Sequence, residues 1–332
     1  MRTKEFDRNP ELEARLKELS GILEIANQSI PQNCADPQKP VLFVVGAPRS
    51  GTTLSLQVLA ASGGFSYPTN LLARFYASPY IGALTQEILT NPKLDFRGEL
   101  LNREKFEFCF SSAIGKTKGL LSPSEFWYFW RRFIPNSEIR KITADEEQLV
   151  DTKGLRSGIA SIEKVHGKPF AAKGMILQYN LQLLHQIFPK VLVLFVTRNP
   201  LFNAQSLLQA RLNQSGDKGI WYSAKPPGYE NLLKDSPENQ VLGQVLMTNS
   251  EIRKSLKGIP PENWLEYDYS ELCANPGGWL DLVAKKCHDL GGDLQFSGHI
   301  PKSFDSQDKW VCSDGERHRI ETCYNEMRRH FE

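Results

Sequence analysis

The run Val41-Leu42-Phe43-Val44-Val45, followed at once by Gly46-Ala47-Pro48-Arg49-Ser50-Gly51-Thr52-Thr53, constrains this chain more than any other stretch. Five consecutive apolar residues predict a strand buried on both faces. The Gly, Pro and Gly that follow predict a tight turn, and Leu54-Ser55-Leu56-Gln57-Val58-Leu59 predicts a helix. Such a turn leaves backbone N–H groups free at a helix N-terminus, which makes an anion site. The frame fits G-x-x-x-x-G, yet Thr52 stands where the phosphate-binding lysine would be. The positive charge comes three residues earlier, from Arg49. An ATP or GTP enzyme needs that lysine beside the β- and γ-phosphates. The loop is therefore predicted to hold an anion outside the nucleoside-triphosphate pattern.

A second unit of the same kind lies further along. Val191-Leu192-Val193-Leu194-Phe195-Val196 predicts another buried strand, ending in Thr197-Arg198-Asn199-Pro200. Asn199 suits a helix N-cap and Pro200 the first helical position. Arg198 then sits at a second strand-to-helix turn, with Ser206 about two turns into the helix. In a parallel sheet both turns open on one edge, where ligands bind. Two anion sites on one edge suit one ligand with two separated anionic groups.

With these residues in place the sequence resembles the sulfotransferases that use 3′-phosphoadenosine 5′-phosphosulfate (PAPS). Pro48-Arg49-Ser50-Gly51-Thr52-Thr53 is similar to the family's 5′-phosphosulfate loop, and Arg198 with Ser206 to its 3′-phosphate site. Tyr269-Ser270-Glu271-Leu272 is similar to the family's Tyr-Glu-x-Leu segment, whose tyrosine lies near the adenine; Ser270 replaces the first Glu. The likeness is closest to a bacterial branch, through Asn70-Leu71-Leu72-Ala73-Arg74-Phe75, Glu125-Phe126-Trp127-Tyr128-Phe129-Trp130, and Ser206 to Arg211 followed by Trp221-Tyr222-Ser223. Together these segments span residues 40 to 290. The resemblance implies an α/β fold, a parallel sheet flanked by helices of the P-loop-containing nucleotide hydrolase-like sulfotransferase kind. It also implies PAPS as donor and 3′-phosphoadenosine 5′-phosphate (PAP) as product.

Composition sets outer bounds. The 332 residues are 40% hydrophobic and 23% charged, ordinary for a globular protein, and the net charge of +2 gives no bulk field that calls for nucleic acid or a membrane surface. No apolar run reaches membrane-spanning length, and Met1 to Glu24 lacks an apolar signal core. The six cysteines show no CxxC pair or metal spacing and read as reduced cytoplasmic thiols, with a Cys312–Cys323 bridge open but unsupported. The histidines form no HExxH, so no metal site is expected. Residues 9–28 carry leucines at helical spacing, which predicts an amphipathic lead-in helix packed on the domain, with a dimer contact as the alternative. The expected organisation is that helix and a linker over 1–38, then one domain over 39–332 with a helical insertion around 68–165. Residues 68–135 read as mainly helical, 144–165 as one helix with Asp145 as cap, and 213–236 as a long loop.

The remaining candidates follow from the resemblance weighed against simpler roles. Arg49 on a loop after a buried strand has little structural excuse and is expected at the phosphosulfate. Arg198 could instead pair with an acidic neighbour. Lys173 ends the short strand Phe170-Ala171-Ala172-Lys173, where the family carries a lysine near the transferred group; a positive charge there can stabilise the leaving oxygen. In the eukaryotic cytosolic branch Thr-His follows, the histidine being the general base, but Gly174 and Met175 follow here. Another branch uses a Glu soon after the first helix, and Tyr67-Pro68-Thr69-Asn70 contains no acid. Glu125 is then the first choice of base, with a helix-start carboxylate as its plain alternative. The related motif often has His where Ser124 stands. His166 is a distant substitute. Asn70, Arg74, Phe126 and Trp221 are candidate acceptor contacts, and Arg317 a candidate for the family's C-terminal basic loop at the 3′-phosphate. The expected reaction moves a sulfuryl group from PAPS to a hydroxyl, or an amine, of a small molecule, natural product or saccharide. A small-metabolite kinase and a non-catalytic PAP-binding protein stay open as rivals.

Overall fold

The computed structural model describes residues 9–27, 30, 34–94, 109–112 and 115–331. Its centre is a four-stranded sheet built from β1 (Val41–Val45), β2 (Phe170–Lys173), β3 (Val191–Thr197) and β4 (Trp264–Asp268), in the order β2-β1-β3-β4. All three pairings are parallel, with Val44 opposite Lys173 and Leu194, and Thr197 opposite Asp268. The carboxyl ends of all four strands therefore share one edge. Continuous apolar runs suit such strands because both faces are covered.

The helices are α1 (Pro10–Asn27), α2 (Thr52–Ala61), α3 (Pro79–Thr90), α4 (Trp127–Trp130), α5 (Ala144–Gln148), α6 (Thr152–His166), α7 (Leu181–Ile187), α8 (Pro200–Ser215), α9 (Pro237–Leu256), α10 (Tyr269–Ala274), α11 (Pro276–Asp289) and α12 (Asp314–Met327). Strand alternation sorts the core into two layers. Val41, Phe43 and Val45 of β1, with Val191, Val193 and Phe195 of β3, pack against residues of α4, α6 and α7. Leu42 and Val44, with Leu192, Leu194 and Val196, pack against α2, α10 and α11. A third cluster joins α8, α9 and α12 through Ala204, Leu207, Val241, Val245 and Ile320. Each fully buried aliphatic side chain contributes about 1.5–3 kcal/mol, so the two layers around β1 and β3 dominate the stability of the sheet.

The lead-in helix α1 lies against the body: Leu16 is buried, Asn27 Nδ2 donates to the Ala77 carbonyl at 2.9 Å, and Tyr128 OH donates to Glu13 at 3.1 Å. Two expectations change. Within 68–135 the described α-helices are only α3 and α4, with a 3-10 turn at Leu72–Phe75. Of the core aromatics there, Phe129 and Trp130 belong to the short α4, while Phe126 and Phe133 fill the core from outside any α-helix, and Phe126 takes a left-handed φ of 57°. The expected helix over 144–165 is two helices. Thr143, not Asp145, caps α5 in a reciprocal capping box with Glu146, and Asp151 then caps α6 through the Gly154 N–H. The break has a cause in the sequence: two N-caps cannot share one continuous helix. All six cysteines are free thiols, Cys312 and Cys323 included. Among the described residues no helix is long and apolar enough to cross a membrane.

Candidate active site

A cavity of about 1140 Å³ opens at the carboxyl edge of the sheet. It is as large as or larger than the roughly 300–1,000 Å³ that small-molecule sites occupy, so it has room for a nucleotide and a second molecule together. Arg49, Gly51, Thr52, Thr53, Glu125, Lys173, Arg198, Ser206 and Tyr269 all line it. Sequence positions more than two hundred residues apart thus meet in one place.

The loop after β1 is shaped by its glycines. Gly46 has φ 157°, and a Cβ there would lie 2.5 Å from the Val196 carbonyl oxygen. Gly51 has φ 115°, and a Cβ there would lie 2.6 Å from the Tyr269 ring. Arg49 adopts φ 69°, a left-handed conformation that costs a non-glycine residue about 1–2 kcal/mol. Ser50 is fully buried, and among the described residues its Oγ has no hydrogen-bond partner and no side chain caps α2. A helix N-terminus without a cap and a buried hydroxyl without a partner are what an anion would satisfy. Arg49 Nε donates to Ser206 Oγ at 3.2 Å, and among the described residues no carboxylate lies within ion-pair distance of Arg49. Burial pushes its guanidinium below its ordinary pKa, with Arg198 acting in the same direction.

Lys173, at the end of β2, is buried. Its Nζ donates to Thr53 Oγ1 at 2.7 Å and to Glu125 Oε1 at 3.1 Å. The other carboxylate oxygen, Oε2, accepts from Trp127 Nε1 at 2.8 Å, and Trp130 Nε1 donates to the Glu125 carbonyl at 2.9 Å. Three elements thus converge on one charged pair: the first turn of α2, the end of β2, and the segment that opens α4. Glu125 precedes α4 by two residues and so lies outside its first turn, where the plain alternative placed it.

At the end of β3, Asn199 caps α8 through the Leu201 N–H, with Pro200 beside it. Arg198 is buried and engaged on every side. Its Nε donates to Asp308 Oδ1 at 2.6 Å, Nη1 to the Arg49 carbonyl at 3.0 Å and Nη2 to the Gln307 carbonyl at 2.9 Å. Its guanidinium carbon stands 4.7 Å from the centre of the Tyr269 ring. Tyr269 OH accepts from the Gln307 N–H at 3.3 Å, and burial pushes the phenol up to about 12. The acidic-neighbour alternative for Arg198 is therefore realised, by a residue 110 positions away. Ser206, expected to act with Arg198, bonds to Arg49 instead.

Other candidates fall outside the cavity wall. Asn70 Nδ2 donates to the Gly119 carbonyl at 2.9 Å and ties down a neighbouring turn. Arg74 is exposed on the 3-10 turn. Phe126 is core, stacked on Phe129 with ring centres 4.4 Å apart. Trp221 covers the buried Arg211 guanidinium at 5.0 Å and donates to the Ala224 carbonyl; Tyr222 and Ser223 line the cavity in its place. Arg317 pairs with Glu321 and lies over Trp310, while Asp308 is the C-terminal residue that reaches Arg198. His166 closes α6 beyond the opposite edge of the sheet from Lys173 and is not a base for this cavity. Sequence reasoning missed Asp308 and Gln205. The buried Gln205 side chain donates to the Lys309 carbonyl and accepts from the N–H groups of Val311 and Cys312, which bolts that segment to α8. An amphipathic helix pattern carries no signal for either contact. Among the described residues no group of three His, Cys, Asp or Glu could hold a metal ion.

Comparison with known proteins agrees with this architecture. The model of the Sulfotransferase family matches residues 40–288. The fold is similar to the crystal structure of a sulfotransferase from Mycobacterium avium, with TM-score 0.53 and 13% identity over 98% of this chain and 86% of that one. A sulfotransferase from Mycobacterium tuberculosis H37Rv aligns at TM-score 0.46 and 16% identity, over 82% of this chain and 73% of the other. None of the curated proteins matches. The parallel sheet, its helical layers and the loop between β1 and α2 make up the P-loop-like sulfotransferase fold, and with three quarters of its length matched the chain belongs to the sulfotransferase family.

Proposed function

We propose that this protein transfers a sulfuryl group from PAPS to a hydroxyl, or in a variant of the same chemistry an amine, of a small molecule, natural product or saccharide. The observation that carries the reading is the Thr53–Lys173–Glu125 array beside the uncapped start of α2, in one cavity with Arg49 and Arg198. The residues fit a doubly anionic nucleotide. The unpartnered Ser50 Oγ, the open α2 N-terminus and Arg49 would hold the 5′-phosphosulfate; Arg198 would meet the 3′-phosphate and Tyr269 the base. When bound, such a donor supplies a sulfuryl group whose departure leaves a phosphate oxygen holding the electron pair of the broken bond.

The chain's own residues then have separate tasks. Glu125 takes the proton of the acceptor hydroxyl, since a carboxylate is acceptor-only and two of its lone-pair directions are already fixed by Lys173 and Trp127. Lys173 spends two N–H groups on Thr53 and Glu125 and has a third for the developing oxyanion. Arg49 adds a second cation there. Catalysis on this reading is positioning and charge stabilisation, as in phosphoryl transfer. A cytoplasmic setting goes with the reading, as does independence from metal ions.

A ligand that binds only the native state raises the melting temperature, by about 2.7 kcal/mol of added stability at a hundred times Kd. PAP is expected to stabilise the protein strongly and ATP, lacking a 3′-phosphate, much less. Equal stabilisation by the two would overturn the donor assignment and favour a kinase. Transfer of label from PAPS into a metabolite pool tests catalysis itself, and binding without any transfer would leave a PAP-binding protein.

A further inference from the structure

The carboxylate of Asp308 occupies the Nε edge of Arg198, the side chain that on the reading above meets the donor's 3′-phosphate. Its Oδ1 is 2.6 Å from Arg198 Nε, and the two side chains are only 15% and 6% exposed. We propose that Asp308 is an intramolecular competitor for the donor's 3′-phosphate: it holds Arg198 in the free protein, gives it up when the nucleotide binds, and takes it back as PAP leaves. The proposal rests on the PAPS reading above and adds a residue that limits affinity for the product.

Two features of the geometry and the chemistry of the two anions support it. The guanidinium is held without help from Asp308, by the Arg49 and Gln307 carbonyls and the Tyr269 ring. Losing the carboxylate therefore frees the Nε edge of Arg198 without freeing Arg198. The backbone on either side of Asp308 is also fixed. Gln307 N–H donates to Tyr269 OH, and Gln205 holds Lys309, Val311 and Cys312. Asp308 can leave by rotating its own side chain, with the backbone around it unmoved. A carboxylate and a phosphate cannot share one guanidinium edge, because like charges at that distance repel. A phosphate brings more charge and more acceptor oxygens than a carboxylate, so it wins the edge when present. The carboxylate remains tethered nearby, which shortens the life of the phosphate contact; affinity differences of this kind appear mainly in the off-rate.

The test is calorimetric titration of PAP and AMP against the wild type and Asp308→Asn, with the PAP off-rate measured by stopped flow. Asparagine keeps the shape and an acceptor for Nε but removes the charge. PAP is expected to bind roughly ten-fold tighter to the variant and to leave correspondingly slower, a ten-fold change being ~1.4 kcal/mol. AMP, without a 3′-phosphate, is expected to bind both proteins alike. Equal tightening of AMP would mean a general charge effect and overturn the proposal. Unchanged or weaker PAP binding would also overturn it. Should the wild type fail to prefer PAP over AMP, the donor reading falls and this proposal with it; a preserved preference with no response to Asp308→Asn sinks the competitor alone. A crystal structure of the wild type with PAP decides the matter without any variant. Arg198 Nε on the phosphate and Asp308 turned away is the expected result, and Asp308 still on Arg198 refutes it.

Discussion

The ends of β1 and β3 are built from the same sequence device, a buried apolar strand that runs into an arginine and then a helix, yet they are in opposite states. At the β1 end, among the described residues, the helix has no side-chain cap, the Ser50 hydroxyl has no partner, and the Arg49 guanidinium donates to a neutral hydroxyl. At the β3 end Asn199 caps the helix and Arg198 is paired with Asp308 and two carbonyls. One end is open and strained, the other closed and satisfied. Local strain of this kind, as in the left-handed Arg49, collects at functional sites. On the proposed function, the difference assigns the chemistry to the β1 end, where Lys173 and Glu125 also converge, and the affinity to the β3 end. Mutations at the two ends should then fail in different ways.

The largest expected effect is on rate, at the β1 end. Glu125→Gln keeps size, and the amide can still accept from Lys173 or Trp127, but it cannot take a proton from the acceptor. Turnover is expected to fall by roughly 10²–10⁴-fold, with PAP affinity and melting temperature near those of the wild type. Full activity in this variant would move the base elsewhere in the cavity, toward the 213–236 segment that contributes Tyr222 and Ser223 to the wall.

How much of this was legible beforehand depends on how far the determining residue sits in sequence. Strands β1 to β3, the turn after β1 and the Asn199-Pro200 start of α8 were readable because each is encoded within a few residues. The meeting of Lys173 with Glu125 was foreshadowed only by naming both as candidates, since neither residue's neighbours encode the other's approach. That Arg198 could pair with an acid was readable, but which acid was not. Its partner Asp308 lies in an irregular stretch with no periodicity, and Arg317, the more conspicuous basic candidate, turns away to Glu321. Trp221 misled for a related reason. An aromatic on a long loop reads as a ligand platform, but here it shields Arg211, whose burial lowers its pKa to about 10 and whose charge needs cover. The split of the 144–165 helix was present in the sequence as Thr143 and Asp151, and the amphipathic periodicity on both sides hid it.

Next in size is a loss of affinity at the β3 end. Arg198→Ala removes a charge-assisted contact of the order of ~1.5–3 kcal/mol, and it leaves the Asp308 carboxylate facing the 3′-phosphate unneutralised. PAPS is expected to bind roughly ten- to a hundred-fold more weakly, while adenosine 5′-phosphosulfate, which lacks that phosphate, changes little. Competition binding of the two nucleotides to one preparation reads this directly. If both weaken alike, Arg198 is a structural residue that holds the Arg49 carbonyl and the Gln307 segment in place, and the division between the two ends is wrong.

The smallest effect tests whether the two ends are separate at all. Ser206 belongs to α8, the helix of the β3 end, but its hydroxyl accepts from Arg49 Nε of the β1 loop. The resemblance to the family puts this serine on the 3′-phosphate, whereas the geometry gives it to an arginine at the other site. Ser206→Ala removes one hydrogen bond of about 0.5–1.5 kcal/mol, so PAP binding is expected to weaken by roughly two- to ten-fold. Ser206 is half-buried and fills no core position, so the melting temperature is expected to change little. The informative measurement is the cycle with Arg49→Ala. A serine that acts by orienting Arg49 has nothing left to orient once that side chain is gone, and the double variant should bind PAP no more weakly than Arg49→Ala alone. Additive losses would instead mean that Ser206 touches the ligand itself. The hydroxyl would then turn from Arg49 to the phosphate on binding, and the two ends would be joined through the nucleotide rather than through the protein.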